Sequence, residues 1–173
     1  MASAVFLVTG PSAAGKSTVG RLLAERFPRG VFLEGDAFRR AIVTGRHEMT
    51  PDATVEALAQ LRLRYRVAAA AADTYREEGF TVVLEDVIAG PLLADVVELV
   101  RSRPLHVVVL LPSTETIAGR EASRETAGYT HFSVEQLHRA FVADTPRLGH
   151  WIDTSAQTPE QTVDEILVRT TPA

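Results

Sequence analysis

Cysteine and asparagine are both absent from the 173 residues, and lysine occurs only once. Without cysteine there is no disulfide framework, no thiolate zinc site and no cysteine nucleophile. No apolar stretch approaches the roughly 18 residues of a membrane-spanning helix. Nor is there an excess of positive charge. The formal net charge is −4, which argues against a broad nucleic-acid surface, because neutralising a phosphate backbone needs a dense Lys/Arg stripe. The first residues, Met1 to Val8, carry no basic flank ahead of their apolar run. They therefore do not read as a secretory leader, and cytoplasm is the expected compartment.

The composition is 46% hydrophobic and 23% charged, a globular balance for which one α/β domain over residues 1–173 is expected. Five short apolar runs, near residues 4–9, 31–35, 80–86, 105–111 and 149–153, alternate with longer segments of helical period. Val82-Val83-Leu84 and Val107 to Leu111 are continuous rather than alternating, as strands covered on both faces are. Together these predict a parallel sheet between helical layers. Helix starts are expected at Thr50-Pro51, at Ser133 with Gln136 three residues on, and at Thr158-Pro159 with Gln161. The alanine run 68–72 predicts a helix packed closely on the sheet.

Gly10-Pro11-Ser12-Ala13-Ala14-Gly15-Lys16-Ser17-Thr18 satisfies GxxxxGK[ST], preceded by a strand pattern and followed by an amphipathic helix at Val19, Leu22, Leu23 and Phe27. Glycines at these positions let backbone N–H groups wrap a phosphate, and the helix N-terminus adds partial positive charge. Lys16 is expected at the β- and γ-phosphates of ATP and the Ser17 hydroxyl on Mg²⁺. Seventeen of the 18 basic residues are arginine and Lys16 is the exception. A compact ammonium is thus retained at the one position where it differs chemically from a guanidinium. With no asparagine, the chain cannot carry the Asn-Lys-x-Asp element by which P-loop GTPases read guanine. Asp36, at the end of the second strand pattern, is expected to face the γ-phosphate and take the proton of an acceptor hydroxyl; an N-cap role is the alternative.

On the Gly10–Thr18 loop, Asp36, Glu85-Asp86, the segment Gly119 to Glu125 and Trp151 to Ser155, the chain resembles the small P-loop kinases that include shikimate kinase, gluconate kinase and especially chloramphenicol phosphotransferase. The resemblance implies an α/β, three-layer P-loop nucleoside triphosphate hydrolase fold with a five-stranded parallel sheet flanked by helices. It implies Asp36 as catalytic base and Asp86 at the magnesium shell through water. It also implies a lid over residues 113–132, with Arg124 offsetting transition-state charge and Arg120 stacked on adenine. Arg120 and Arg124 also fit ordinary surface pairs with Glu121 and Glu125. Asp153 to Gln157 resembles the loop that backs the adenine.

Residues 37–78 are expected to build the acceptor site, with Arg39, Arg40, Arg62 and Tyr65 as substrate-binding candidates. Several arginines there suit a carboxylate or phosphate on the acceptor. The expected reaction is phosphoryl transfer from Mg·ATP to a hydroxyl of a small molecule, an antibiotic among the candidates, by a monomer or homodimer. The alternatives are a nucleoside or nucleotide kinase and an ATP-binding regulatory module or slow ATPase.

Overall fold

In a computed structural model of the chain, residues 3–123 and 131–171 are described. Five strands run parallel: β1 (Val5–Thr9), β2 (Gly30–Glu34), β3 (Thr81–Glu85), β4 (Leu105–Leu110) and β5 (His150–Ile152), in the order β2-β3-β1-β4-β5. β1 is central and every one of its residues is buried. The sheet matches the five apolar runs of the sequence and the expected fold class.

Successive side chains of a strand point to opposite faces, and the core divides accordingly. Val5, Leu7, Val82, Leu84, Val107 and Val109 pack with Tyr65, Ala68, Ala72, Leu93 and Phe141 on one face. Phe6, Val8, Val83, Val108 and Leu110 pack with Val19, Leu23, Val163 and Ile166 on the other. The first face is covered by α3 (Val55–Glu77) and α4 (Leu92–Leu99), the second by α1 (Lys16–Glu25) and α7 (Pro159–Thr170). Ala68, Ala69 and Ala72 are buried, so the alanine run does bring α3 close to the sheet.

Shorter helices α2 (Gly35–Arg40), α5 (Thr114–Ala122) and α6 (Val134–Arg139) complete the described chain, with one π-helical turn at Ala140–Asp144. Ser133 and Thr158 each form a full capping box with the glutamine three residues on. The Thr50-Pro51 start is corrected. Residues 51 and 52 form a turn, and α3 begins at Val55 with Thr54 as its N-cap, accepting from the Ala57 N–H at 3.1 Å. Gln60 fastens the irregular segment before it, donating to the Gly45 carbonyl at 2.7 Å and accepting from the His47 N–H at 2.8 Å. Proline at 51 fits a turn as well as a first helical position, and the hydroxyl at Thr54 supplies the cap.

Pairing in register sets Glu34 beside Glu85 and Val8 beside Glu85. The carboxyl ends of β1, β2 and β3 therefore converge, and ligands of open parallel sheets bind at such ends. Thr9 and Ile88 lock the convergence, the Ile88 N–H donating to Thr9 Oγ1 at 2.9 Å.

Candidate active site

The loop from Gly10 to Thr18 leaves β1 and enters α1. Gly10 has φ +150°, and a Cβ there would lie 2.2 Å from the Leu110 carbonyl oxygen. Ala13 and Gly15 also have positive φ, at 59° and 95°. Alternation of right- and left-handed backbone turns successive N–H groups toward one centre, the concavity that holds anions. Gly10→Ala is expected to cost about 1–3 kcal/mol of strain in this loop. It should weaken ATP binding tenfold or more in a calorimetric titration.

Lys16 is buried and its Nζ donates to the Pro11 carbonyl at 3.0 Å, which holds the ammonium across the loop. Ser17 Oγ donates to Glu85 Oε1 at 3.1 Å. The carboxylate on the Ser17 hydroxyl is therefore Glu85. Asp86 turns to the other face of the sheet, where Oδ1 takes Arg64 at 2.6 Å and the Val87 N–H at 2.7 Å. Burial pushes the Asp86 carboxyl up to about 6, against the pull of Arg64 and with a push from Glu85. Burial also raises Glu85, opposed by the charge of Lys16 and the Ser17 hydrogen bond. Asp86 Oδ2 and Arg64 Nε are buried without a hydrogen-bond partner.

Asp36 lies in the first turn of α2, and its side chain makes no N-cap bond. Two arginines one turn on hold it instead: Arg39 Nε to Oδ1 and Arg40 Nη1 to Oδ2, each at 2.5 Å. Partial burial would raise this carboxyl, but the Arg39 hydrogen bond and charge, with Arg40 and Arg64, outweigh it and hold it low. Asp36 is thus ionised at neutral pH. Arg39 also takes Glu48 at 2.6 Å, and Arg40 approaches Glu34 at 3.5 Å.

Arg120, on α5, donates to the Ala14 carbonyl at 3.1 Å and to the Thr154 carbonyl at 3.0 Å. It joins the phosphate loop to the loop after β5. That second loop is tied to the start of α5, since Ser155 Oγ accepts from the Ser113 N–H at 2.8 Å. Arg124 and most of the lid's second half lie outside the described residues.

Ser12, Ala13, Gly15, Lys16, Ser17, Thr18, Asp36, Arg39, Arg40, Tyr65, Asp86 and Arg120 all line one cleft of about 1100 Å³. Tyr65 is nevertheless a core residue, with its hydroxyl donating to the Val87 carbonyl at 2.8 Å. Arg62 is exposed and does not line the cleft; the arginine that α3 contributes is Arg64. The residues missed in the sequence are Arg64, Gln60 and a set of apolar side chains at the acceptor end. No group of three or more His, Cys, Asp or Glu forms a metal cage among the described residues, and no described helix is long and apolar enough to cross a membrane.

A family profile described as an AAA domain matches residues 5–144. No curated protein sequence matches significantly. Among solved structures, an unliganded sugar kinase from Janibacter sp. aligns at 22% identity and TM-score 0.70, over 96% of this chain and 94% of that one. The tunicamycin resistance protein of Deinococcus radiodurans aligns at 17% identity and TM-score 0.71, over 99% and 97%. A gluconokinase from Sinorhizobium meliloti aligns at 24% identity and TM-score 0.61, over 95% and 90%. At these identities the likeness is one of fold.

Proposed function

The chain belongs to the AAA domain family, and on that premise we propose that it is a small-molecule kinase transferring the γ-phosphoryl group of ATP to a hydroxyl. The observation that carries this reading is an ionised aspartate, Asp36, opening into the same cleft as the phosphate loop. An ATPase needs only to position water. A carboxylate held in place by two arginines suits the orientation of an alcohol, and as a weak base it takes the proton only as the bond to phosphorus forms.

In this reading the loop N–H groups and Lys16 hold the phosphates. The acceptor hydroxyl donates to Asp36 while its oxygen forms the new bond to phosphorus. The bond to the departing ADP breaks, and the hydroxyl proton ends on the carboxylate. Arg120 closes the phosphate loop against the Thr154 loop on the adenine side, and Arg124 is proposed to offset charge on the transferring group. The hydroxyl and carboxylate oxygens at Ser17 and Glu85 fit a hard divalent cation that keeps most of its waters. Ser17 would hold Mg²⁺ with Glu85 behind it, in the place expected of Asp86, whose carboxylate is instead turned to Arg64 and the Val87 N–H. When bound, the ion supplies positive charge at the phosphates. Residues 37–78 serve as the acceptor region and 113–132 as the lid, in a cytoplasmic monomer or homodimer.

The test is a coupled assay of ADP release with and without a panel of hydroxyl compounds. Acceptor-dependent acceleration supports the kinase. A rate independent of every acceptor favours an ATPase. Once an acceptor is in hand, Arg39→Gln gives a second check. Losing that guanidinium removes the strongest pull on Asp36, so its pKa rises. The acid limb of kcat/KM is expected to move to higher pH, with the alkaline limb unmoved.

A further inference from the structure

Among the described residues, charge at the acceptor end of the cleft is already paired. Lys16 and Arg120 turn to carbonyls of the phosphate loop, at Pro11 and Ala14. Among the described residues the other arginines of the lining are Arg39, Arg40 and Arg64, and each is paired with a carboxylate: Asp36 and Glu48, Asp36 and Glu34, and Asp86 respectively. Glu48 is held by Arg46 as well, at 2.9 Å, so among the described residues four guanidinium groups face four carboxylates, a local balance of 4 − 4 = 0. The two histidines of the lining, His47 and His131, are exposed. Among the described residues an anionic acceptor would have to break an existing ion pair or lie unpaired, and an unpaired charge out of water is costly.

What the same region offers freely is hydrocarbon. Ile42, Met49, Leu61, Leu92, Phe132 and Leu137 come from four different segments of the chain and line the cleft with part of each side chain open. Ligand sites of this kind take an apolar body and fix it with few polar groups. The same lining carries the carboxylates of Asp36 and Glu48, which accept hydrogen bonds from hydroxyls and cannot neutralise an anion.

We propose that the acceptor is an uncharged hydroxyl compound with an apolar or aromatic body, rather than a sugar acid, a carboxylated ring or a phosphorylated or sulfated molecule. This rests on the kinase reading for the fate of the hydroxyl, but not for the preference in binding. The aromatic or aliphatic body lies against Leu61, Leu92 and Phe132, and its hydroxyl reaches Asp36. The arginines of α2 hold the aspartate and do not contact the acceptor as an anion clamp.

The test uses a matched pair, phenylethanediol and mandelate, which share a ring and a secondary hydroxyl and differ in having a primary hydroxyl or a carboxylate. Each is titrated calorimetrically into the intact chain loaded with Mg²⁺ and a non-hydrolysable ATP analogue. The diol is expected to bind about tenfold or more tightly than mandelate. Ile42→Arg, which places an unpaired cation at the cleft, is expected to reverse the preference. Equal or tighter binding of mandelate to the unaltered chain overturns the proposal, as does failure of both ligands to bind. The same pair is then offered with ATP. Preference for the diol in binding, without phosphoryl transfer to it, leaves this inference standing and removes support from the kinase reading alone.

Discussion

Asp36→Asn is expected to lower kcat for phosphoryl transfer about 10²- to 10⁴-fold, the range for losing a positioned general base. Asparagine keeps the shape and can still accept a hydrogen bond through its carbonyl, but it cannot take the proton. Asp36 is more than a third exposed and belongs to a pair of partly exposed ion pairs. Stability should therefore change little, since such pairs contribute modestly. ATP affinity is expected to stay within about threefold, because the phosphate loop is untouched and the lost interaction belongs to the transition state. The three readings together, kcat, ATP affinity and melting temperature, separate a lost base from a damaged fold. A variant with full kcat would show that Asp36 only forms ion pairs with Arg39 and Arg40 within α2.

The second large effect is on stability. Arg64 and Asp86 form the one ion pair among the described residues in which both side chains are nearly buried, at 13% and 5% exposure. Arg64→Met leaves Asp86 in the interior with the Val87 N–H as its remaining partner. Removing one member of a buried pair costs about 3–5 kcal/mol when the other remains charged. Asp86 escapes part of that cost by taking a proton, since burial already raises its carboxyl to about 6. The sign follows from that rise. A carboxyl raised on folding contributes stability in its protonated form, and loses it as pH climbs through the folded value. Without Arg64 the carboxyl rises further, so Arg64→Met should be most destabilised on the alkaline side and should recover as pH falls toward and below about 6, read as urea midpoints. Arg64→Met combined with Asp86→Leu is expected to be more stable than Arg64→Met alone. Additive losses would show that the two groups do not act as a pair.

Much of this site was legible before any coordinates. The phosphate loop carries its signature in spacing alone, and the helix-start signals at Ser133 and Thr158 correspond to formed capping boxes. Two features were harder, and for a common reason. Arg62 and Arg64 flank the buried stripe of α3 on opposite sides, at about 100° per residue. The period of Leu61, Tyr65, Ala68 and Ala72 shows which way the helix faces the sheet. It does not say which flank meets the cleft, because that depends on where the helix crosses the strands. Glu85 and Asp86 pose the same question on a strand. Glu85 shares its face with Val83, beneath α1 and so beside Ser17. Asp86 shares its face with Leu84, beneath α3 and so beside Arg64. Alternation separates the two carboxylates in sequence, but only the layer above each face assigns their partners. The apolar wall of the acceptor end is scattered from Ile42 to Leu137, and no local pattern joins those residues.

Transfer of a phosphoryl group to a small molecule is tested most directly by following that group. ATP carrying heavy oxygen on its γ-phosphoryl group is incubated with the protein, Mg²⁺ and a mixture of uncharged hydroxyl compounds, and the products are read by mass spectrometry. One compound is expected to gain a single labelled phosphoryl group, in step with ADP and at a rate lowered about 10²- to 10⁴-fold by Asp36→Asn. Labelled inorganic phosphate accumulating in step with ADP, with every organic compound unchanged, would contradict it and make the protein an ATPase.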